Sequence, residues 1–196
     1  MPGLIYSHPL IYQLFMRLIY GKEYDTRLKT IADLIEPGWS VLDICCGDCR
    51  LKKFMEPNCE YLGLDVNPRF VEWAKKSGIN AKSADARTSS WPTVDCVVLI
   101  ASLYHFIPKH SEIILKAVAT AKKRVILSEP VDNLSQKSRM LSWLSSHLAD
   151  PGTTWSNERF DKKKLLSFLQ GSGCDKILQN GREIIGIFDV TPQNVT

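Results

Sequence analysis

From Pro9 onward, apolar residues recur in pairs about one helical turn apart: Leu10 and Ile11, Leu14 and Phe15, Leu18 and Ile19. This predicts an amphipathic helix opened by proline at its first position and ended at Gly21. Tyr24, Leu28, Ile31, Ala32 and Ile35 then repeat on one face and predict a second helix, broken at Pro37-Gly38. The pattern changes after that point. Short apolar runs at Val41 to Cys45, Tyr61 to Leu64, Val94 to Ala101 and Arg124 to Ser128 suit strands buried on both faces of a parallel sheet, with a weaker strand at Ala81 to Ala84.

The intervening segments, Arg50 to Met55, Arg69 to Lys76 and Ser111 to Ala121, each read as a crossover helix. Strands alternating with helices predict an α/β fold with a doubly wound, mainly parallel sheet. Further on, Leu134 to Leu148 is helix-rich, Pro151-Gly152 marks a loop, and a helix is expected from about Asp161 to Gln170. Between Ile177 and Phe188, Asn180-Gly181 reads as a two-residue hairpin turn, so the sheet is expected to end antiparallel. The pattern predicts a single domain over 1–196, with a helical cap at 1–36, an α/β core at 37–190 and a loose terminus from Thr191.

Composition narrows the setting without changing this picture. The 196 residues are 44% hydrophobic and 23% charged, ordinary for a globular chain with one sizeable core. A net charge of +4 is too mild and too scattered to argue for nucleic acid. Lys122-Lys123-Arg124 and Lys162-Lys163-Lys164 read as solvated faces. The most apolar stretch, residues 4–20, is interrupted by His8, Pro9, Gln13 and Arg17, so no spanning helix is expected. Six cysteines without a leader-like start point to reduced thiols and a cytoplasmic location.

In an open parallel sheet, ligands bind beyond the carboxyl ends of the strands, so the polar residues that end each apolar run deserve the closest reading. Asp43, Asp65 and Asp85 stand at the ends of the first three strands, each about one strand-helix unit after the last. A carboxylate ending the second strand can accept both hydrogen bonds of a ribose diol, which suits Asp65. Asp85 is placed for an exocyclic amine further along the edge. Asp43, under the turn that contains Gly47, suits a cationic amine.

The segments VLDICCGDCR, YLGLDVNP, SADAR and DCVVLIASLYHF resemble the successive motifs of class I S-adenosylmethionine-dependent methyltransferases, from about Val41 to Glu129. The resemblance implies a Rossmann-like fold, S-adenosylmethionine as cofactor and S-adenosylhomocysteine as product. It gives the methionine part to Asp43, Cys45 and Gly47, the ribose to Asp65, the adenine amine to Asp85 and the flanks of the ring to Val66 and Ala86, with Ser102 completing the site. The family's G-x-G-x-G positions hold Cys45, Gly47 and Cys49 here. Cysteine is expected to replace glycine at 45 if no positive φ is needed there, whereas the Cys49 side chain is expected where backbone should approach the cofactor.

Other readings of the same residues stay open. Cys46-Gly47-Asp48-Cys49 is a C-x-x-C at a strand-to-helix junction, which would suit a thiol-disulfide oxidoreductase. Cys45, Cys46 and Cys49 lack an obvious fourth ligand for zinc, and no metal site is expected. A cofactor-binding module without catalysis is a third reading.

After the fourth strand the chain reads Ala101-Ser102-Leu103-Tyr104-His105-Phe106, not the D/N/S-P-P-Y/W pattern associated with amino-base methylation. A small-molecule acceptor methylated on oxygen or carbon is therefore favoured. If a base is needed, His105 is the first candidate and Tyr104 the second. Glu129, Asn133, Arg159 and Arg182 are candidates to orient a polar acceptor. Tyr6, Tyr12, Phe15 and Tyr20 make the first helix a candidate lid, or an interfacial helix making peripheral contact with a membrane. The sequence leaves the oligomeric state unknown.

Overall fold

The computed structural model of the chain describes residues 7–131 and 158–191. The expected helix at Leu134 to Leu148, the Pro151-Gly152 loop, Tyr6 and Asn133 lie outside the described residues. Helices α1 (Pro9–Tyr20) and α2 (Glu23–Ala32) come first, followed by β1 (Ser40–Ile44), β2 (Glu60–Asp65), α3 (Pro68–Lys76), β3 (Ala81–Ser83), β4 (Val94–Ile100), α4 (His110–Thr120) and β5 (Ala121–Pro130). Beyond residue 157 lie α5 (Lys162–Gly171) and the hairpin strands β6 (Lys176–Asn180) and β7 (Glu183–Asp189).

Seven strands form one sheet in the order β3-β2-β1-β4-β5-β7-β6. The pairs from β3 through β5 are parallel, and β7 is antiparallel to both β5 and β6. Alternate residues of the apolar runs feed two cores. Leu42, Ile44, Val97 and Leu99 pack with α4 and α5 residues, and Val41, Cys96, Val98 and Ile126 pack with α2 and α3 residues. Double burial explains why these strands read as continuous apolar runs. The strand order reverses direction between β1 and β4, the place where an open α/β sheet leaves a crevice at its carboxyl edge.

Several boundaries differ from expectation for local reasons. The segment after β1 forms only a 3-10 turn, Arg50–Lys53, and not a crossover helix reaching Met55. Pro57, just beyond, cannot supply a helical amide there. The final hairpin turns on Gly181 and Arg182, because Asn180 pairs with Glu183 in the ladder and its Nδ2 donates to Thr30 Oγ1 at 2.9 Å. The charged run is not simply solvated: Lys123 pairs with Asp95 at 3.1 Å and Arg124 with Asp189 at 2.7 Å.

The cap is tied to the sheet by a buried ion pair from Arg27 of α2 to Glu183 of β7, whose other oxygen accepts from Ser128. On the outward side of α1, Leu10, Ile11, Leu14 and Leu18 are exposed. Among the described residues, no helix is long and apolar enough to cross a membrane.

Candidate active site

β1 carries Asp43 into the protein with its side chain buried, in register with Gly63 on β2 and Val98 on β4. Burying a carboxylate is expensive without donors. The Tyr61 hydroxyl supplies one, 2.7 Å from Asp43 Oδ2. Burial still dominates, and the charges of Asp65 and Asp48 add to it, so the Asp43 pKa is pushed up to about 7.

The chain leaves β1 through a turn in which every second residue has positive φ: 57° at Cys45, 53° at Gly47 and 55° at Cys49. These are the three positions where the resembling family carries glycine. The condition set for cysteine at 45, that no positive φ be needed, is not met: two cysteines adopt left-handed backbone, at a cost of about 1–2 kcal/mol each.

The expectation for Cys49 is corrected too. Its side chain is fully buried in the core with Val41, Tyr61 and Cys96, turned away from the cavity under the turn. The Cys46 and Cys49 sulfurs are 3.3 Å apart. A Cβ on Gly63 would stand 2.6 Å and 3.0 Å from them, so the bare backbone at 63 is the notch that houses both thiols. Hydrogen bonding to Cys49 and burial push the Cys46 thiol well above its ordinary value, opposite to what a redox nucleophile needs.

Asp65, at the end of β2, accepts from the Gly47 amide at Oδ2 and from the Asn67 amide at Oδ1, each at 2.8 Å. One carboxyl group thus holds both the β1 turn and the start of α3. Burial raises its pKa against those two donors. Asp85 is arranged differently. Arg87 grips it with backbone N and side-chain Nε, both 2.9 Å from Oδ1, and the guanidinium holds the carboxyl below its usual range. Nearby, Ala86 is buried and Val66 is exposed.

A cavity of about 50 Å³ lies against the β1 turn. Asp43, Cys45, Gly47 and Asp48 line one side, and Tyr12 and Tyr24 line the other. Asp48 is buried there with its Oδ2 unpartnered among the described residues.

After β4, the Ser102 and Leu103 amides both donate to Glu129 Oε1, at 2.7 Å and 2.5 Å. Glu129 is fully buried and its pKa is raised to about 8, chiefly by burial. It shapes this turn from within. The Ser102 hydroxyl is also buried, without a partner among the described residues. Tyr104 is buried and its ring lies 3.9 Å from that of the half-buried His105. The Arg159 guanidinium sits over the Tyr104 ring at 3.3 Å. Burial, and then the Arg159 charge, lower the His105 pKa to about 4, which makes it a poor proton acceptor near neutral pH.

The strand-end acids converge. Burial pushes the Cys45 thiol well above its ordinary value, and the charges of Asp65, Asp43, Asp85 and Glu129 push it further, so one side chain feels all four. Arg182 instead pairs with Glu23 at 3.0 Å and stacks on Tyr20. Among the described residues, no group of three or more His, Cys, Asp or Glu could hold a metal ion. Two participants escaped the sequence reading. Tyr61 lies two residues before Gly63 and so on the same face as Asp43, which the period of two would have revealed. Asp48 sits inside the turn with no pattern to mark it.

Residues 41–124 match the family model described as a methyltransferase domain. Over 90 residues the chain is 32% identical to a trans-aconitate 2-methyltransferase of Mycobacterium tuberculosis, covering 43% of this chain and 33% of that protein. The match thus spans about a third of the length of the curated relatives. Magnesium protoporphyrin IX methyltransferase from Synechocystis PCC 6803, solved with bound SAH, superposes with a TM-score of 0.65 at 18% identity, over 92% of this chain and 87% of that one. An O-methyltransferase family protein from Burkholderia thailandensis gives 0.67 at 15% identity, over 93% and 59%. At these identities the likeness establishes the fold.

Proposed function

We propose that the chain, whose residues 41–124 match a methyltransferase domain and whose fold is shared with solved methyltransferases, is a class I S-adenosylmethionine-dependent methyltransferase that transfers the methyl group to a small-molecule acceptor, on oxygen or carbon. The observation that carries the reading is Asp65. It ends β2, one strand away from the switch point between β1 and β4, and ties the β1 turn to α3 through two backbone amides. Each carboxyl oxygen spends one acceptor position on those bonds and keeps another for a ribose hydroxyl.

The residues present fit the cofactor. Asp43 offers a carboxyl beside the cavity under the turn, suited to a cationic amine, and Asp48 there has an orphaned buried oxygen. Cys49 leaves that cavity clear. Asp85 serves the adenine amine only after releasing part of its hold on Arg87, an exposed side chain.

When bound, S-adenosylmethionine supplies an electrophilic methyl on a sulfonium that leaves as a neutral thioether. The protein's part is alignment and exclusion of water, with Tyr12 and Tyr24 walling the turn and Glu129 fixing the backbone of Ser102 and Leu103. Tyr104 and His105 shape the acceptor side. A reducing compartment such as the cytoplasm suits the six free cysteines.

Titrating the reduced full-length protein with S-adenosylhomocysteine tests the reading. Wild type should bind in the micromolar range, and Asp65→Ala should weaken binding by more than about tenfold. Absence of binding to wild type would overturn it.

A further inference from the structure

Helix α1 carries two faces of opposite character. Toward the protein, it packs Tyr12 edge-on against Phe70 of α3 at 5.3 Å and sets Tyr20 under the Arg27 guanidinium at 4.3 Å. Away from it, Leu10, Ile11, Leu14 and Leu18 are 53%, 41%, 62% and 74% exposed. Their spacing puts all four on one side of the helix, in a single row. Exposed apolar side chains scattered singly are ordinary, but four in one row mark a contact surface.

The charges around the row indicate what covers it. Residues 7–22 contain no Asp or Glu. Arg17 and Lys22 stand exposed at the C-terminal end of the helix. At its N-terminal end the exposed Arg69 of α3 donates to the Ser7 carbonyl at 3.1 Å. None of these three cations makes an ion pair among the described residues. Asp25, which feels the Arg17 charge, is already held by Arg50 through two bonds of 2.8 Å and 3.1 Å. An apolar row with cations at both ends and no carboxylate within it complements anionic headgroups over acyl chains. A protein partner is less well matched, because four side chains fall far short of the ~800 Å² a side that a stable protein interface buries.

We propose that α1 lies in the surface of an anionic lipid membrane, with Leu10, Ile11, Leu14 and Leu18 among the acyl chains and Arg17, Lys22 and Arg69 at the headgroups. At 12 residues the helix lies on the bilayer and does not cross it. The inner face of the same helix puts Tyr12 on the wall of the cavity under the β1 turn, so the cofactor edge is held one helix away from the lipid. The docking surface itself does not depend on which cofactor fills that cavity.

Reduced full-length protein is mixed with sucrose-loaded vesicles of equal parts phosphatidylglycerol and phosphatidylcholine, or of phosphatidylcholine alone, and the bound fraction is measured by sedimentation at low and high salt. Binding to the anionic vesicles should be at least about tenfold tighter than to the neutral ones and should weaken with salt. Leu14→Glu with Leu18→Glu, at two positions exposed in the fold, should weaken it by about tenfold or more while thermal midpoint and far-UV circular dichroism stay as in wild type. Arg17→Glu with Lys22→Glu should remove most of the advantage of anionic over neutral vesicles. Failure of wild type to bind anionic vesicles, equal binding to both compositions, or undiminished binding by the Leu14→Glu, Leu18→Glu protein overturns the proposal. So does a dimer in light scattering that the same two glutamates dissolve, with vesicles left unbound, since the row then belongs to a second copy of the chain.

Discussion

The hydroxyl of Tyr61 donates to Asp43 across neighbouring strands, at 2.7 Å, and is the side-chain donor that meets this buried carboxyl. Because burial outweighs that bond, Asp43 titrates near pH 7 and its charge is available to a cationic amine only above that pH. Affinity for S-adenosylhomocysteine should therefore fall as pH drops from 8 to 6, by about tenfold. Tyr61→Phe removes a donor to the charged form and should move the midpoint upward by about one pH unit. Calorimetric titration across this range checks both, and a flat wild-type profile would refute the assignment of Asp43 to the amine.

Stability should carry the same sign. Asp43 and Glu129 have folded-state pKa values of about 7 and 8, above their ordinary values of 3.8 and 4.5. The folded state therefore holds protons that the unfolded chain has released. Their contribution is fully present below about pH 4 and is lost as pH rises through 7 and then 8. From these two groups thermal midpoints should decline between about pH 4 and pH 8 and level off above, and Glu129→Gln, which still presents an oxygen to Ser102 and Leu103, should flatten the upper part of the decline. Glu129→Ala should cost about 2–4 kcal/mol by stranding two buried amides, measured by urea denaturation.

Gly63→Ala should be costly although alanine is tolerated in strands, because its Cβ would meet the Cys46 and Cys49 sulfurs at 2.6 Å and 3.0 Å. A loss of about 1–3 kcal/mol is expected. Adding Cys46→Ala makes room and should recover part of the loss, so a double-mutant cycle should show favourable coupling. Simple additivity would mean that the notch is not what fixes glycine there.

What the sequence disclosed follows from what each feature depends on. Strands buried on both faces are apolar throughout, so β1, β2, β4 and β5 were readable, and the strand-end acids came with them. The turn after β1 was not, since cysteine gives no hint of left-handed backbone and the inward course of Cys49 depends on a glycine on another strand. The apolar residues between Arg50 and Met55 suggest a crossover helix, but Pro57 just beyond allows only the 3-10 turn. Arg87 stands two residues after Asp85 in plain view, yet only folding shows that it occupies the carboxyl. The hairpin slipped by one position because Asn180 answers to Thr30 on α2, a partner far away along the chain.

Tyr12 and Tyr24 bring the two cap helices against the β1 turn, leaving about 50 Å³ between them. A nucleoside-sized molecule needs several times that space, so the doorway of this protein is made of its own first two helices. Admitting S-adenosylmethionine would then require those helices to shift, so its association rate should depend on the cap as much as on the site. Solvent viscosity would be felt at the door before it was felt at the methyl group.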